Sequence, residues 1–123
     1  MKVAISAKGD DETADVDERF GRCPYFVIVD TDEMEYESMK NEHTKESHGV
    51  APQVVQMLSE MDIEAVITGN IGPNGYRTLK SAEIKAYKGS GEISEAVEEL
   101  KKGELEEIKN QTVKGHHGKG GKR

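Results

Sequence analysis

Residues 64–75 (EAVITGNIGPNG) constrain the fold of this chain more strongly than any other stretch. The run Ala-Val-Ile predicts a short buried strand, and a glycine turn follows it. Gly69, Gly72 and Gly75 allow positive φ or a close approach to a ligand, and Pro73 fits the first turn of a helix. A strand that passes through such a turn into a helix commonly binds small anions in α/β proteins. We therefore predict a ligand-binding turn, with a tight turn that binds nothing as the simpler alternative.

The order of the predicted elements is β-β-β-α-β-α-β-α, which indicates a mixed sheet. Strands are predicted at residues 2–7, 25–30, 34–41, 65–67 and 84–87. One helix is predicted to begin near Pro52, and one helix follows each of the last two strands. The short turn at 31–33 makes strands two and three an antiparallel hairpin, whereas the later β-α-β-α-β order requires parallel strands. The expected fold is a three-layer α/β/α domain with a five-stranded mixed sheet. Residues 104–108 are expected to form a short extra helix or a turn.

Composition describes one acidic domain followed by a basic segment. The 123 residues carry a net charge of −7, although residues 114–123 contain four basic side chains and no acidic one. An acidic chain is a poor candidate for general binding to nucleic acid or to an anionic membrane. We predict a folded domain at residues 1–109 and a disordered Gly/His/Lys-rich tail at 110–123, where the apolar pattern stops.

Cellular location follows from what the sequence lacks. Cys23 is the only cysteine, so an internal disulfide is excluded. The apolar run at residues 3–5 is too short for a signal peptide, and no stretch approaches the ~18 apolar residues that cross a membrane. We therefore expect a cytoplasmic protein that does not enter a membrane.

Two adjacent loops differ in charge. Residues 10–18 contain six carboxylates. Their mutual repulsion predicts a solvated, mobile loop, and their spacing does not match an EF-hand calcium site. Residues 19–24 (RFGRCP) follow, and their two arginines are expected to favour the ionised form of Cys23. They should also pair either with the negative charge of a bound ligand or with carboxylates of the acidic loop.

Four short motifs resemble the dinitrogenase iron–molybdenum cofactor biosynthesis family. They are Arg-Phe-Gly-Arg at 19–22 followed by Tyr-Phe at 25–26, His-Gly at 48–49, the stretch 66–74, and Tyr-Lys-Gly at 87–89 with Glu-Ala at 95–96. The resemblance covers roughly residues 1–101. It implies a ribonuclease-H-like fold and a binding or carrier role for an iron–sulfur or iron–molybdenum-type cluster. Ribonuclease activity is not expected, because strand one offers Ser6 where two-metal chemistry requires a carboxylate.

The predicted cluster site combines the Cys23 loop, His48 and the glycine turn. A thiolate is the preferred ligand of iron–sulfur clusters, but one thiolate cannot hold a four-cysteine cluster. A cluster would then be anchored at one corner, held noncovalently or shared across a dimer. The alternative is that Cys23 is a structural residue and binds no cluster. The predicted cofactor-binding residues are Arg19, Arg22, Cys23, His48, Gly69, Asn70, Gly72 and Asn74.

Histidines supply the other predicted metal ligands. The resemblance favours His48 as a metal ligand or cluster contact, and an exposed or helix-capping histidine is the alternative. His116 and His117 are candidate metal ligands in a glycine-rich tail. The alternative is that this tail is a nonspecific basic segment without a metal site. With Cys23, these three residues complete the predicted metal-ligand set.

The function that we expect is a non-catalytic carrier of a metal–sulfur cluster or its precursor, which acts as a monomer or weak homodimer. Its partners would be proteins that donate or accept the cluster. The alternative is a small-molecule or anion-binding regulatory module that uses the turn at 69–75, although this turn lacks the Gly-Lys-Ser/Thr of a P-loop. A purely protein-binding accessory domain is a third interpretation. No catalytic constellation is evident in the sequence, so an enzyme is the weakest choice.

Overall fold

A six-stranded mixed sheet forms the centre of the fold. The computed structural model describes residues 1–42 and 50–112. The strands are β1 (Lys2–Ala7), β2 (Tyr25–Asp30), β3 (Glu35–Lys40), β4 (Ala65–Thr68), β5 (Lys85–Lys88) and β6 (Glu106–Glu107), in the spatial order β3-β2-β1-β4-β5-β6. The helices are α1 (Val50–Glu60), α2 (Pro73–Ser81) and α3 (Ile93–Lys101).

Strand directions agree with the predicted topology. β2 and β3 form an antiparallel hairpin in which Tyr25 pairs with Lys40, and β2 is also antiparallel to β1. β1, β4 and β5 are parallel to one another, as short crossover helices require. The hairpin and the parallel core of the sheet are therefore confirmed.

The sixth strand corrects the expectation of five. Residues 104–108 were expected to form a helix or turn, but Glu106–Glu107 pair antiparallel with β5. The Ile108 amide donates to the Ala86 carbonyl at 2.7 Å, and the Ile108 side chain is buried. A strand of two residues is too short to show the alternating pattern that identifies strands in a sequence.

Helices cover both faces of the sheet and create three layers. On one face, α1 and α2 pack against the strands through Val54, Leu58 and Leu79. On the other face, α3 packs through Ile93, Ala96, Val97 and Leu100. The three-layer α/β/α arrangement follows from these two cores, whereas the ribonuclease-H-like classification stays a prediction.

The parallel strands bring three chain segments to one edge of the sheet. β1, β4 and β5 point the same way, so Lys8, Gly69 and Gly89 all follow the carboxyl ends of neighbouring strands. This edge is where open α/β sheets commonly bind ligands. Within residues 1–42 and 50–112, no helix is long and apolar enough to cross a membrane.

Candidate functional site

Residues 15–19, here called the crossing segment, run over the carboxyl ends of the parallel strands. Val16 forms a β-bridge with Ala7, and Arg19 forms one with Asn70. The Val16 amide donates to the Gly91 carbonyl at 2.8 Å. The prediction of a solvated, mobile loop is therefore wrong for this part of the acidic stretch, because its backbone is bonded to β1, to Asn70 beyond the end of β4 and to Gly91 before α3.

A buried pair of hydroxyl groups fixes the middle of the crossing segment. The hydroxyls of Ser6 and Thr68, near the carboxyl ends of β1 and β4, lie 2.7 Å apart. The Ser6 hydroxyl also donates to the Asp17 carbonyl at 2.6 Å. The Asp17 amide donates back to the Ser6 carbonyl at 2.7 Å. Ser6 stands where two-metal nuclease chemistry would require a carboxylate, and in this fold its hydroxyl anchors the crossing segment to the sheet.

Asp17, which is buried, forms an ion pair with Arg19, which is exposed. The Asp17 carboxylate is buried and accepts hydrogen bonds from the Arg19 amide at 2.9 Å, Nε at 3.0 Å and Nη2 at 2.9 Å. Burial alone would raise the pKa of Asp17, but these hydrogen bonds and the guanidinium charge hold the pKa below its usual value. Arg19 therefore forms the salt bridge with the acidic stretch that was one of its two predicted roles.

Gly69 allows the chain to cross itself. A Cβ added at Gly69 would lie 2.7 Å from the Cα of Glu18. The Asn70 amide donates to the Glu18 carbonyl at 2.8 Å across the same junction. Among the described glycines, positive φ occurs at Gly91 and Gly103 and not in the turn at 69–75. The close approach that the sequence predicted at Gly69 is therefore to the crossing segment.

A cleft of about 380 Å³ opens beside this junction. Its lining residues are Lys8, Asp15, Val16, Glu18, Gly69, Asn70, Lys88, Gly89, Ser90 and Gly91. The lining residues therefore include two lysines and two acidic residues, together with one serine and one asparagine. Such a mixture suits a polar or anionic ligand that is bound by several hydrogen bonds.

Sequence reasoning missed most of this cleft, in particular Lys8, Lys88 and Ser90. Each lysine stands at the carboxyl end of a parallel strand, and this position was the available signal. Ser90 does not cap the helix that follows it, because Glu92 is the N-cap of α3 and makes no side-chain cap bond. The amides of Ile93 and Ser94 instead donate to carbonyls of residues 14 and 12.

Cys23 does not have the environment that was predicted for it. Its side chain is 0% exposed and its Sγ–H donates to the Phe20 carbonyl at 3.5 Å. Burial raises the pKa of the Cys23 thiol to about 12. The fold therefore disfavours the predicted ionised thiol, because desolvation outweighs the hydrogen bonds that lower its pKa, including those from Ala7 and Asn41. Cys23 belongs to the hydrophobic core with Phe20 and Phe26 and does not line the cleft.

The remaining predicted site residues do not gather at one place. Gly69 and Asn70 line the cleft. Gly72 is the N-cap of α2, and the exposed Asn74 side chain accepts a hydrogen bond from Arg77. Arg22 is exposed and lies in the loop before Cys23. None of these last three residues lines the cleft.

Metal ligation has no preformed protein site in the described part of the chain. Within residues 1–42 and 50–112, no group of three or more His, Cys, Asp or Glu side chains is arranged to hold a metal ion. His48, His116 and His117 lie outside the described residues. Their predicted role as ligands therefore stays a prediction.

Comparison with known proteins gives consistent matches over most of the chain. The model of a family described as dinitrogenase iron-molybdenum cofactor matches residues 1–103. An uncharacterized protein of Methanocaldococcus jannaschii is 32% identical over 93 residues, which are 72% of this chain and 79% of the relative.

Two solved structures share the fold closely. The apo form of the orange protein from Desulfovibrio gigas has a TM-score of 0.87 and 28% identity, over 91% of this chain and 96% of the other. A putative NifB protein from Thermotoga has a TM-score of 0.81 and 37% identity, over 93% of this chain and 98% of the other.

Proposed function

Because this chain belongs to the dinitrogenase iron-molybdenum cofactor family, we propose that it binds a metal–sulfur cluster or a precursor of one and carries it without catalysis. The family match over residues 1–103 is the observation that carries this proposal, since it includes the crossing segment, the glycine turn and the cleft. We also propose the ribonuclease-H-like classification that the sequence motifs imply, with which the three layers and mixed sheet agree.

The cargo is held by charge and hydrogen bonds, not by a thiolate of this chain. A cysteine must lose its proton before it ligates a metal, and the pKa of Cys23 at about 12 opposes that loss at neutral pH. The cleft instead offers the ammonium groups of Lys8 and Lys88 and the Ser90 hydroxyl. These groups donate hydrogen bonds to sulfide or oxo atoms on the surface of an anionic cluster.

Noncovalent binding also suits a carrier. A cargo held by hydrogen bonds is transferred to an acceptor protein without breaking metal–thiolate bonds. The cleft volume of about 380 Å³ falls within the range of small-molecule sites, ~300–1,000 Å³. We expect a cytoplasmic monomer or weak homodimer that exchanges its cargo with donor and acceptor proteins.

Anaerobic reconstitution tests the proposal. The protein is incubated with iron and sulfide, with and without molybdate, then desalted and assayed for metal, acid-labile sulfide and visible charge-transfer absorption. Wild type should retain coloured cargo. The double variant K8S/K88S should bind at least about tenfold more weakly, since a charge-assisted hydrogen bond contributes about 1.5–3 kcal/mol.

Two variants locate the site. Lys85→Ser is the matched control, because Lys85 is exposed at the amino end of the same strand that ends at Lys88. It should bind cargo like wild type. Cys23→Ala should also retain cargo, since the thiol is buried. If wild type stays colourless and metal-free, the proposal that the protein carries a metal–sulfur cluster is refuted. If Cys23→Ala loses the cargo while K8S/K88S retains it, the proposed noncovalent mode of binding is refuted.

The second candidate is an anion-binding regulatory module. The observation in its favour is the mixed charge of the cleft together with the backbone of the turn at 89–91. Thermal-shift measurements with nucleotides, phosphate and reconstituted cluster separate the two functions. Stabilisation by nucleotides with no response to metals would favour the regulatory module.

A further inference from the structure

The last described residue, Thr112, is tied down beside the cleft. Its amide donates to the Ile71 carbonyl at 2.8 Å, and the Ile71 amide donates to the Thr112 hydroxyl oxygen at 2.7 Å. Ile71 is buried and directly follows Asn70, which lines the cleft. Residues 113–123, here called the basic arm, therefore start next to the cleft wall.

The basic arm is opposite in charge to the rest of the chain. It contains three lysines, one arginine and two histidines, but no acidic residue. Because the whole chain carries −7 and the arm contributes +4, residues 1–112 carry −11. Four of the eleven arm residues are glycines and one is valine, so the arm has little apolar surface to bury. Charge is therefore what would attract the arm to a surface of this protein.

The cleft offers acidic residues to such an arm. Asp15 and Glu18 line the cleft and are exposed. Within the part of the chain that the structure describes, neither of them forms a salt bridge. Lys8 and Lys88 line the same cleft, so its acidic and basic residues are equal in number. An anionic cargo therefore meets a cleft whose own charges balance, and further cations would favour its binding.

The basic arm is long enough to reach these carboxylates. A chain spans at most ~3.3–3.6 Å per residue, so the eleven residues after Thr112 extend up to ~36–40 Å. Exposed ion pairs are individually weak. A short tether, however, gives the arm an effective concentration on the order of millimolar at the cleft. Ion pairs that would not hold two separate molecules together can therefore hold the arm in place.

We propose that the basic arm docks on the cleft through Asp15 and Glu18 and neutralises them. Lys8 and Lys88 then give the cleft an excess of positive charge, which raises its affinity for an anionic cargo. The docking does not depend on the proposed function. The gain in cargo affinity rests on it.

A nitroxide label on the arm tests the docking in the full chain. Gly118→Cys supplies the reactive thiol, because Cys23 is buried and its pKa is about 12. The label should broaden the amide signals of Lys8 and Gly91, which line the cleft on two other chain segments. The broadening should weaken at about 1 M salt, where the Debye length is ~3 Å. Broadening that does not respond to salt would overturn docking through ion pairs.

Paired charge variants of the labelled protein locate the docking surface. In D15N/E18Q, the ratio of docked to free arm should fall about fivefold, the combined effect of two exposed ion pairs. The matched control E33Q/E35Q removes two exposed carboxylates where β2 turns into β3, at the opposite edge of the sheet, and should dock like wild type. Equal broadening in the two variants would overturn docking on the cleft. Broadening that arises when the label and the observed amides are on different molecules would overturn docking within one chain.

Cargo binding tests the charge contribution of the arm. The arm is neutralised by four substitutions, K114Q, K119Q, K122Q and R123Q. This variant should bind the reconstituted iron–sulfide–molybdate cargo about fivefold more weakly than wild type, because Asp15 and Glu18 then repel the cargo without compensation.

The matched control changes the net charge equally at the opposite edge of the sheet. It replaces four exposed lysines that do not line the cleft, through K80Q, K85Q, K101Q and K102Q. This control should bind cargo like wild type. Equal cargo binding by the two quadruple variants would overturn the charge contribution. If wild type binds no cargo, the proposed function and the charge contribution are both refuted, whereas the nitroxide label still decides the docking.

Discussion

Gly69→Ala tests the close crossing of two chain segments at the candidate site. Gly69 does not have positive φ, so alanine is compatible with its backbone conformation. The added Cβ would, however, lie 2.7 Å from the Cα and 2.8 Å from the Cβ of Glu18, well inside the ~3.5–4.0 Å at which carbon atoms make favourable contact. Relief requires the Glu18 backbone to move, which strains its hydrogen bond with the Asn70 amide. Overpacking costs about 1–3 kcal/mol and the weakened bond about 1 kcal/mol, so we expect a loss of about 2–4 kcal/mol.

Urea unfolding at neutral pH measures this loss as a lower midpoint with an unchanged slope. Gly103→Ala is the comparison, since Gly103 has φ of +74° but no atom near its added Cβ. Its cost should be only the strain of a left-handed alanine, about 1–2 kcal/mol. If Gly69→Ala were no more destabilising than Gly103→Ala, the argument from crowding at Glu18 would be refuted.

Two further predictions concern ionisable groups at this end of the fold. The pKa of Asp17 is lower in the fold than its usual 3.8, so its ionised form stabilises the protein above that pH and the contribution is lost as the pH falls through the folded value. Asp17→Asn should therefore cost about 1–3 kcal/mol in urea unfolding at pH 7 and less at pH 3; an equal cost at both pH values would contradict this. Cys23, whose pKa rises from 9.0 to about 12, should have a thiolate population about a thousandfold lower at pH 8, so thiol-specific reagents should label it only after unfolding. Rapid labelling of the native protein would contradict its burial.

The fold was largely predictable because its signals are local. The hairpin of β2 and β3 follows from a strongly apolar strand and the polar turn Thr31-Asp32-Glu33. The parallel strands follow from the alternation of short apolar runs with amphipathic helices. β6 was missed because pairing with β5, and not its own two glutamates, makes it a strand.

The site was less predictable because it depends on contacts between distant residues. Nothing near Gly69 in the sequence shows that Glu18 will lie against it, so its small size was assigned to a ligand. The charge around Cys23 was visible in the sequence, but the burial of Cys23 in the same core as Phe20 and Phe26 was not. Lys8 and Lys88 were within reach of sequence reasoning, since the rule for carboxyl ends of parallel strands applies to β1 and β5 as well as to β4.

The acidity of the whole chain is compatible with an anionic cargo. The net charge of −7 acts at long range, where salt screens it beyond a Debye length of ~8 Å. Binding in the cleft depends on the nearest groups, which are the lysines Lys8 and Lys88 and the acidic residues Asp15 and Glu18. Asp17, the carboxylate buried in the crossing segment, is already compensated by Arg19. For the proposed carrier, an acidic exterior discourages nucleic acids and anionic membranes, and binding of an anionic cluster requires that hydrogen bonds from Lys8 and Lys88 outweigh repulsion by Asp15 and Glu18. The K8S/K88S variant tests that balance.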